Sequence, residues 1–171
     1  MIKVVLAVRL ILFALIVCAL ACAPAGKPIP LELEGTGQGM PGDTPGKALN
    51  EFIEALNTCD LERTMDLFYK NASAFFPFEE HPRRGEGKEE IRKAFDEFYD
   101  AVKKEKRGPR YMNIVPGDIR VEGNDQTAVV SFHVVSGPVT SRRTLVMSMI
   151  GGKWRIIHLH ASNIRVEEEK E

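Results

Sequence analysis

Apolar residues recur with a helical period in three stretches of the chain. The first stripe follows Thr44-Pro45, a sequence typical of a helix start, and ends near Thr58. Its members, spaced i, i+3, i+4 and i+7, are Leu49, Phe52, Ile53 and Leu56. Asp60 is expected to cap a second, shorter helix, which carries Leu61, Met65 and Phe68. A third helix is predicted from Gly87 to the Gly108-Pro109 stop, with the stripe Ile91, Ala94, Phe95, Phe98 and Val102.

Most of the remaining chain alternates between apolar and polar residues, which is the period of a β-strand. A short strand is predicted at residues 72–76, before Pro77, and long strands at 110–122, 127–135 and 140–150. Gly151-Gly152 then predicts a hairpin turn into a closing strand over residues 153–162. Three helices followed by antiparallel strands indicate an α+β protein, with the helices covering one face of a curved sheet.

The closing strand decides which side chains are expected inside the domain. Strict alternation divides its residues into two faces. The first face, expected to point inward, carries Arg155, Ile157, Leu159 and Ala161. The second face, expected to point outward together with His133, carries Trp154, Ile156, His158, His160 and Ser162.

The N-terminal residues 1–22 read as an export signal and not as part of the fold. Lys3 and Arg9 precede a short apolar core, and Ala19-Leu20-Ala21-Cys22 resembles a bacterial lipobox, which implies acylation of Cys22. The interpretations are a membrane-anchored lipoprotein of the bacterial cell envelope, a secreted or periplasmic protein, or a retained uncleaved anchor. Residues 23–43, rich in Pro and Gly, predict a disordered linker, residues 44–166 one globular domain, and residues 167–171 a charged tail.

The composition supports a globular domain that binds no nucleic acid. Hydrophobic residues make up 44% of the chain and charged residues 27%, with a formal net charge of −1. A nucleic-acid-binding surface would need clustered basic residues. Cys18 is expected to leave with the signal and Cys22 to be acylated, so Cys59 remains without a disulfide partner and is expected to be a small buried residue.

Several strings of residues resemble a known superfamily. Ala55-Leu56-Asn57, Cys59-Asp60-Leu61, Phe76-Pro77 and Glu90-Ile91-Arg92 are similar to the ketosteroid-isomerase and SnoaL-like superfamily. The closing string from Gly152-Lys153-Trp154 is also similar to the association domain of calcium/calmodulin-dependent kinase, which has the same nuclear-transport-factor-like fold. The resemblance covers about residues 44–166. It implies a cone-shaped, curved antiparallel sheet with three N-terminal helices packed on its concave face.

The resemblance also locates the isomerase catalytic positions, and this chain does not retain their chemistry. The oxyanion-hole tyrosine falls at Phe52, the general base at Phe76, the second acid near Leu145 and a supporting tyrosine near Phe95. Proton abstraction beside a carbonyl needs a base and oxyanion donors, so that mechanism and those catalytic residues are not expected here. The resemblance instead implies an apolar ligand pocket, with Arg143 nearer its mouth to meet a carboxylate or carbonyl. The predicted ligand-binding residues are Phe52, Phe76, Phe95, Arg143, Leu145, Ile157 and Leu159.

Three functions follow from these residues. The first is an exported, homodimeric domain that binds a small apolar or weakly acidic molecule without a cofactor. The second is a lyase, isomerase or hydrolase that uses His81, Arg143 or a histidine that a β-bulge turns into the pocket. The third is a dimeric assembly module that uses the outer face of the sheet. His158 and His160 could hold a metal only with a third ligand, which the sequence does not place beside them, so no metal site is expected.

Overall fold

The computed structural model describes residues 43–165, which form three helices and six strands. The predicted export signal, the linker before Asp43 and the charged tail lie outside the described residues. In chain order the helices are α1 (Pro45–Thr58), α2 (Leu61–Leu67) and α3 (Gly87–Glu105). The strands are β1 (Phe68–Phe75), β2 (Gly85–Glu86), β3 (Gly117–Gly123), β4 (Thr127–Ser136), β5 (Val139–Ile150) and β6 (Lys153–Arg165).

Local capping sets where the helices begin. The Thr44 hydroxyl accepts a hydrogen bond from Lys47 N at 3.1 Å, and the Asp60 carboxylate accepts one from Arg63 N at 3.0 Å. Both predicted caps are therefore confirmed. The third helix starts at Gly87 as predicted but ends at Glu105, short of the Gly108-Pro109 pair. Within residues 43–165, no helix has both the length and the apolar character needed to cross a membrane.

The strands form one open sheet in the order β2-β1-β6-β5-β4-β3. The α+β class is confirmed, and the sheet is mixed, because β1 runs parallel to β6 while the other neighbours are antiparallel. Parallel neighbours require a long crossover, and the chain between β1 and β6 supplies one. The predicted strand at 110–122 begins only at Gly117, and the one at 72–76 begins at Phe68.

The core lies between the helices and one face of the sheet, which we call the inner face. It includes Leu49, Phe52 and Ile53 of α1, Ile91, Phe95 and Tyr99 of α3, and Val130, Leu145, Met147 and Leu159 of the sheet. The opposite surface of the sheet is the outer face. The predicted alternation of β4 and β5 is confirmed, since Ala128, Val130 and Phe132 are buried with Leu145 and Met147.

The predicted faces of the closing strand are wrong for its first half. Met147 pairs with Ile156 and Val146 pairs with His158, so Ile157 is an extra residue that forms a β-bulge. The bulge reverses the alternation, and Trp154 and Ile156 are buried on the inner face with Leu159 and Ala161. Arg155 shifts away from the core for the same reason. Only His158, His160 and Ser162 keep the predicted outward position.

Candidate functional site

Three of the predicted pocket residues meet in a cluster of aromatic rings under α1 and α3. The ring centroids of Phe52 and Phe95 are 6.4 Å apart, and those of Phe76 and Phe95 are 5.5 Å apart, both edge to face. Phe68 packs between α1 and α3, 6.1 Å from Phe52 and 5.8 Å from Phe95. Edge-to-face contacts at these distances are favourable and fill space. Phe52 and Phe95 are 2% and 4% exposed, so they lie in the packed core.

Two further predicted residues lie beneath this cluster on neighbouring strands. Leu145 and Leu159 pair across β5 and β6, and both are buried. Two surface clefts in the described part of the chain, with volumes of about 380 and 470 Å³, contain none of the predicted ligand-binding residues in their linings. Five of the six apolar members of the predicted site thus belong to the packed core or pack against it.

Ile157 is not brought to this group. It occupies the bulge of β6 and belongs neither to the buried cluster nor to the partly buried hydrophobic residues packed against it. The alternation that assigned Ile157 to the pocket does not hold at this position, because the bulge interrupts it.

Arg143 lies on the inner face of β5, in the row that joins Phe132 of β4 to Ala161 of β6. Its Nη1 donates hydrogen bonds to the carbonyl oxygens of Arg142, at 2.9 Å, and of Ser162, at 3.2 Å. Within residues 43–165 no carboxylate lies within salt-bridge distance of the guanidinium. Burial lowers the pKa of Arg143 to about 10, so the side chain still carries its charge at neutral pH.

Polar residues surround Arg143, and they were not predicted from the sequence. Ser141 and Asn163 pair across β5 and β6 one inner-face position further along, and the Ser141 hydroxyl donates to Asn163 Oδ1 at 2.8 Å. Ser136, on the same face of β4, holds the one buried side-chain oxygen or nitrogen without a hydrogen-bond partner in the described residues. Each of these residues lies an even number of positions from an inner-face residue of its own strand. The alternation that predicted Arg143 to point inward therefore predicts the same for them.

His81 is held by a carboxylate in the loop between β1 and β2. Its Nε2 lies 3.1 Å from Glu97 Oε2, and its ring packs against Phe76 and Phe78, with centroids 6.0 and 6.5 Å away. An imidazole oriented by a carboxylate can act as a general base. His81 touches the aromatic cluster at Phe76 and is partly exposed, with 25% of its side chain accessible, so a ligand could reach it.

The outer face carries the other histidines. His158 Nδ1 lies 2.8 Å from the Ser73 hydroxyl. The Phe75 ring packs against His158 and His160, with ring centroids 5.9 and 5.7 Å apart. Burial, and then the nearby charges of His160 and Arg84, lower the pKa of His158. Within residues 43–165, no three His, Cys, Asp or Glu side chains come together as a set of metal ligands.

Cys59 is buried at the C-terminal end of α1, where its backbone has a positive φ of 50°. Burial raises the pKa of its thiol to about 11, so the reactive thiolate is scarce at neutral pH. The prediction of a small buried residue is confirmed.

Comparison with solved structures places this fold among known proteins. It is similar to a putative dehydratase of the NTF2-like family from Streptomyces avermitilis, with a TM-score of 0.58 and 19% identity over 70% of this chain and 92% of that chain. It is similar to a putative ketosteroid isomerase from Parabacteroides distasonis, with a TM-score of 0.55 and 19% identity over 72% and 89%. A putative calcium/calmodulin-dependent protein kinase II association domain from Xanthomonas campestris has a TM-score of 0.53 and 19% identity over 78% and 98%. At these identities the likeness shows the fold alone.

Family comparison extends from the fold to the sequence. None of the curated proteins matches the chain. A family model described as a SnoaL-like domain matches residues 46–167, which include every helix and strand of the described structure except the first residue of α1. The chain therefore belongs to the SnoaL-like domain family.

Proposed function

We propose that this chain is an exported, lipid-anchored SnoaL-like domain that binds a small, largely apolar molecule through an acidic group. The acidic group meets Arg143 on the inner face of the sheet. The apolar part of the molecule lies against the edge of the aromatic cluster. No isomerase-type base is used, since the corresponding positions are Phe52 and Phe76.

The observation that carries this proposal is the unbalanced charge of Arg143. Arg143 stands between Phe132 and Ala161 in the strand register, and no described carboxylate lies within salt-bridge distance of its guanidinium. A partly buried charge without a counterion costs free energy. An anionic ligand would supply that counterion.

The donors that remain on Arg143 fit a carboxylate. Both hydrogen bonds of the guanidinium are donated by Nη1, so Nε and Nη2 keep hydrogens without an acceptor within residues 43–165. Both nitrogens are accessible to solvent, since the one buried side-chain N or O atom without a partner in the described residues is Ser136 Oγ. Nε and Nη2 form one edge of the guanidinium, and that edge binds a carboxylate through two parallel hydrogen bonds. Ser141 and Asn163 lie one step further along the same face and can bind a second polar group.

The test uses paired probes that differ only in charge. We expect octanoate and benzoate to bind and to raise the melting temperature, whereas octanamide and benzamide bind about tenfold to a hundredfold more weakly, because hydrogen bonds to charged groups contribute about 1.5–3 kcal/mol. Arg143→Gln should remove the preference for the carboxylate, measured by isothermal titration calorimetry.

Arg142 provides the matched control. It is the next residue on the same strand, is exposed, and projects from the outer face, where it pairs with His133 and Ser162. Arg142→Gln removes the same charge and should leave carboxylate affinity unchanged. Equal affinity for acid and amide in the natural chain, or equal losses in both variants, would remove Arg143 from the site.

Export and lipid anchoring are supported by the N-terminal sequence. The apolar segment ends in Ala19-Leu20-Ala21-Cys22, which resembles a lipobox. Radiolabelled palmitate should be incorporated into the natural chain and not into Cys22→Ser. Incorporation that persists in Cys22→Ser would contradict a lipid at this cysteine, and a chain found wholly in the medium would favour plain secretion.

The second candidate function is an enzyme, and the His81–Glu97 contact favours it. A carboxylate-oriented imidazole beside an apolar cluster is a suitable general base for a lyase, isomerase or hydrolase. Should turnover of any carboxylate ligand be found, His81→Ala should abolish it and His133→Ala, on the outer face, should not. Turnover that survives His81→Ala would exclude His81 as the base.

A further inference from the structure

A cationic cleft opens on the described domain away from Arg143. Its volume is about 380 Å³, and it lies between the start of β1, the start of α3 and the β5–β6 hairpin. Four of its lining residues are basic: Lys70, Lys88, Lys153 and Arg155. Asp66 is the one acidic residue that lines it, and within residues 43–165 none of these five side chains forms a salt bridge.

The chain enters the domain beside this cleft. Asp43, the first described residue, accepts a hydrogen bond through Oδ2 from Trp154 N at 3.2 Å. Trp154 lies between Lys153 and Arg155, which both line the cleft. The point at which the predicted linker joins the domain is therefore next to the group of positive charges.

The length of chain before Asp43 relates the cleft to a membrane. Asp43 follows Cys22 by twenty-one residues, which span at most about 76 Å when fully extended. A lipid on Cys22 would hold the domain within that distance of the bilayer, and the effective concentration of the surface around a tethered domain is high. Anionic headgroups attract Lys and Arg residues that come within about a Debye length, about 8 Å at physiological ionic strength.

We propose that the cationic cleft is the membrane-facing surface of the domain and binds the phosphate groups of anionic phospholipids. This inference rests on the proposed lipid anchor. The contact orients the domain so that the linker side faces the bilayer. Weak attractions suffice, because the tether has already removed most of the freedom that docking would otherwise cost.

The test measures lysine reactivity on vesicles. The full chain, purified from membranes, is reconstituted into vesicles of phosphatidylcholine alone or of phosphatidylcholine with phosphatidylglycerol. Each lysine is then modified with an amine-reactive reagent and quantified by mass spectrometry. We expect Lys70, Lys88 and Lys153 to react at least about twofold more slowly on the anionic vesicles, and high salt to remove the difference.

The other end of α3 supplies an internal control. Lys104 follows Lys88 by sixteen residues on the same helix, a separation of about 24 Å at 1.5 Å per residue. Lys103 and Lys104 should react equally on both vesicles. The double variant Lys153→Glu/Arg155→Glu should abolish the protection of Lys70 and Lys88, whereas Lys103→Glu/Lys104→Glu should preserve it.

The outcomes separate this inference from the proposed anchor. A chain that floats with both vesicles and shows equal lysine reactivity keeps the anchor and overturns the cleft. A second outcome is that dissolved glycerol phosphate protects the same lysines on neutral vesicles, with no further protection on anionic vesicles. That result assigns the cleft to a free phosphate and overturns the membrane contact. Flotation with anionic vesicles alone, with the same protected lysines, rejects the anchor and supports the cleft, and flotation with neither vesicle overturns both.

Discussion

Two buried hydroxyl groups, on Thr64 of α2 and Tyr99 of α3, are held by a short chain of hydrogen bonds. Thr64 Oγ1 donates to Asp60 O at 2.7 Å and also lies 2.7 Å from the Tyr99 hydroxyl. Since the threonine has one hydroxyl hydrogen and gives it to Asp60 O, Tyr99 is the donor to Thr64. Burial raises the pKa of Tyr99, in keeping with a phenol that stays protonated in the core.

The first prediction concerns this pair. Thr64→Val should lower the free energy of unfolding by about 1–3 kcal/mol, because the Tyr99 hydroxyl is left buried without an acceptor. Tyr99→Phe removes that donor, and the double variant should be more stable than the sum of the single losses implies. Urea unfolding measures all three. Thr58→Val is the control, since the Thr58 hydroxyl bonds only to carbonyls of its own helix; a loss as large as that of Thr64→Val would contradict the argument.

The second prediction concerns the pH dependence of stability at His158. Its pKa is lowered by burial and then by His160 and Arg84, so the folded chain resists protonation more than the unfolded chain does. The stability that the neutral imidazole gives is therefore complete above about pH 6.5 and is lost as the pH falls through that value towards the lower folded pKa. His158→Gln should lose less stability than the natural chain between about pH 7.5 and 5. A proton NMR titration that gives His158 a pKa above 6.5 would contradict this.

Residues whose partners are close in sequence were predictable, and those with distant partners were not. Thr44 and Asp60 cap helices through residues three positions away, so the sequence identified both. Arg143 was predicted to lie inward because its position depends only on the alternation of β5. The contact between Ser73 and His158 spans 85 residues and arises from the β1–β6 pairing, which no local pattern specifies.

Among the elements, the segment between α3 and β3 departs furthest from its predicted form. Residues 110–116 were expected to be strand, but Asn57 of α1 binds their backbone through both its side chain and its backbone carbonyl. Asn57, 1% exposed, accepts a hydrogen bond at Oδ1 from Ile114 N at 2.7 Å and donates through Nδ2 to Ile114 O at 3.3 Å. Its carbonyl accepts from Tyr111 N and Met112 N. A side chain that satisfies both backbone groups of Ile114 replaces the ladder of a strand.

The third prediction tests that role of Asn57. Asn57→Leu should lower the free energy of unfolding by about 2–4 kcal/mol, since it leaves the amide and carbonyl of Ile114 without partners. Amide hydrogen exchange at Ile114 should also become faster. Asn113→Leu, in the same segment, should cost less than about 1 kcal/mol, because no hydrogen bond of the Asn113 side chain is present in the described structure. Equal costs for the two variants would show that the amide of Asn57 does not hold the segment.

The bulge in β6 shows why the strand faces could be predicted only in part. Ile156-Ile157 are two consecutive apolar residues, so a change of alternation at this point leaves the apolar pattern intact on either side. The inward position of Trp154 and Ile156 depends on their pairing with Met149 and Met147, which is a tertiary feature. Leu159 and Ala161 lie beyond the bulge, where the alternation counted from the histidines was correct.

At the scale of the whole molecule, the number of helices and the α+β plan could be predicted from periodicity. The mixed character of the sheet could not be, because β1 pairs with β6 across most of the domain's length. The packing of Phe52 against Phe95 could not be predicted either, because the sequence pattern identifies both residues only as apolar. The family resemblance gave their positions, and the structure adds that their rings contact one another.

The last prediction concerns assembly through the outer face. Apolar side chains are exposed there on several strands, including Phe75 at 38%, Val129 at 37%, Val135 at 62% and Ile164 at 37%. Val135 and Ile164 both flank Thr140 of β5, and Val129 pairs with Val146. These side chains form separate apolar groups, Val129 with Val146 and Val135 with Ile164, and exposed apolar groups on a sheet are typical of an interface.

A homodimer that buries these apolar groups should therefore form in solution, and light scattering after size-exclusion chromatography should give twice the mass of the chain. Val129→Lys should yield monomers, because a dimer would bury the added charge. The monomer itself should remain folded, since Glu122 pairs with Val129 and can neutralise a lysine there. Val115→Lys changes an equally apolar residue that is 60% exposed but lies before β3, off the sheet, and it should remain dimeric. A natural chain that is monomeric, or dissociation by Val115→Lys alone, would place any interface elsewhere.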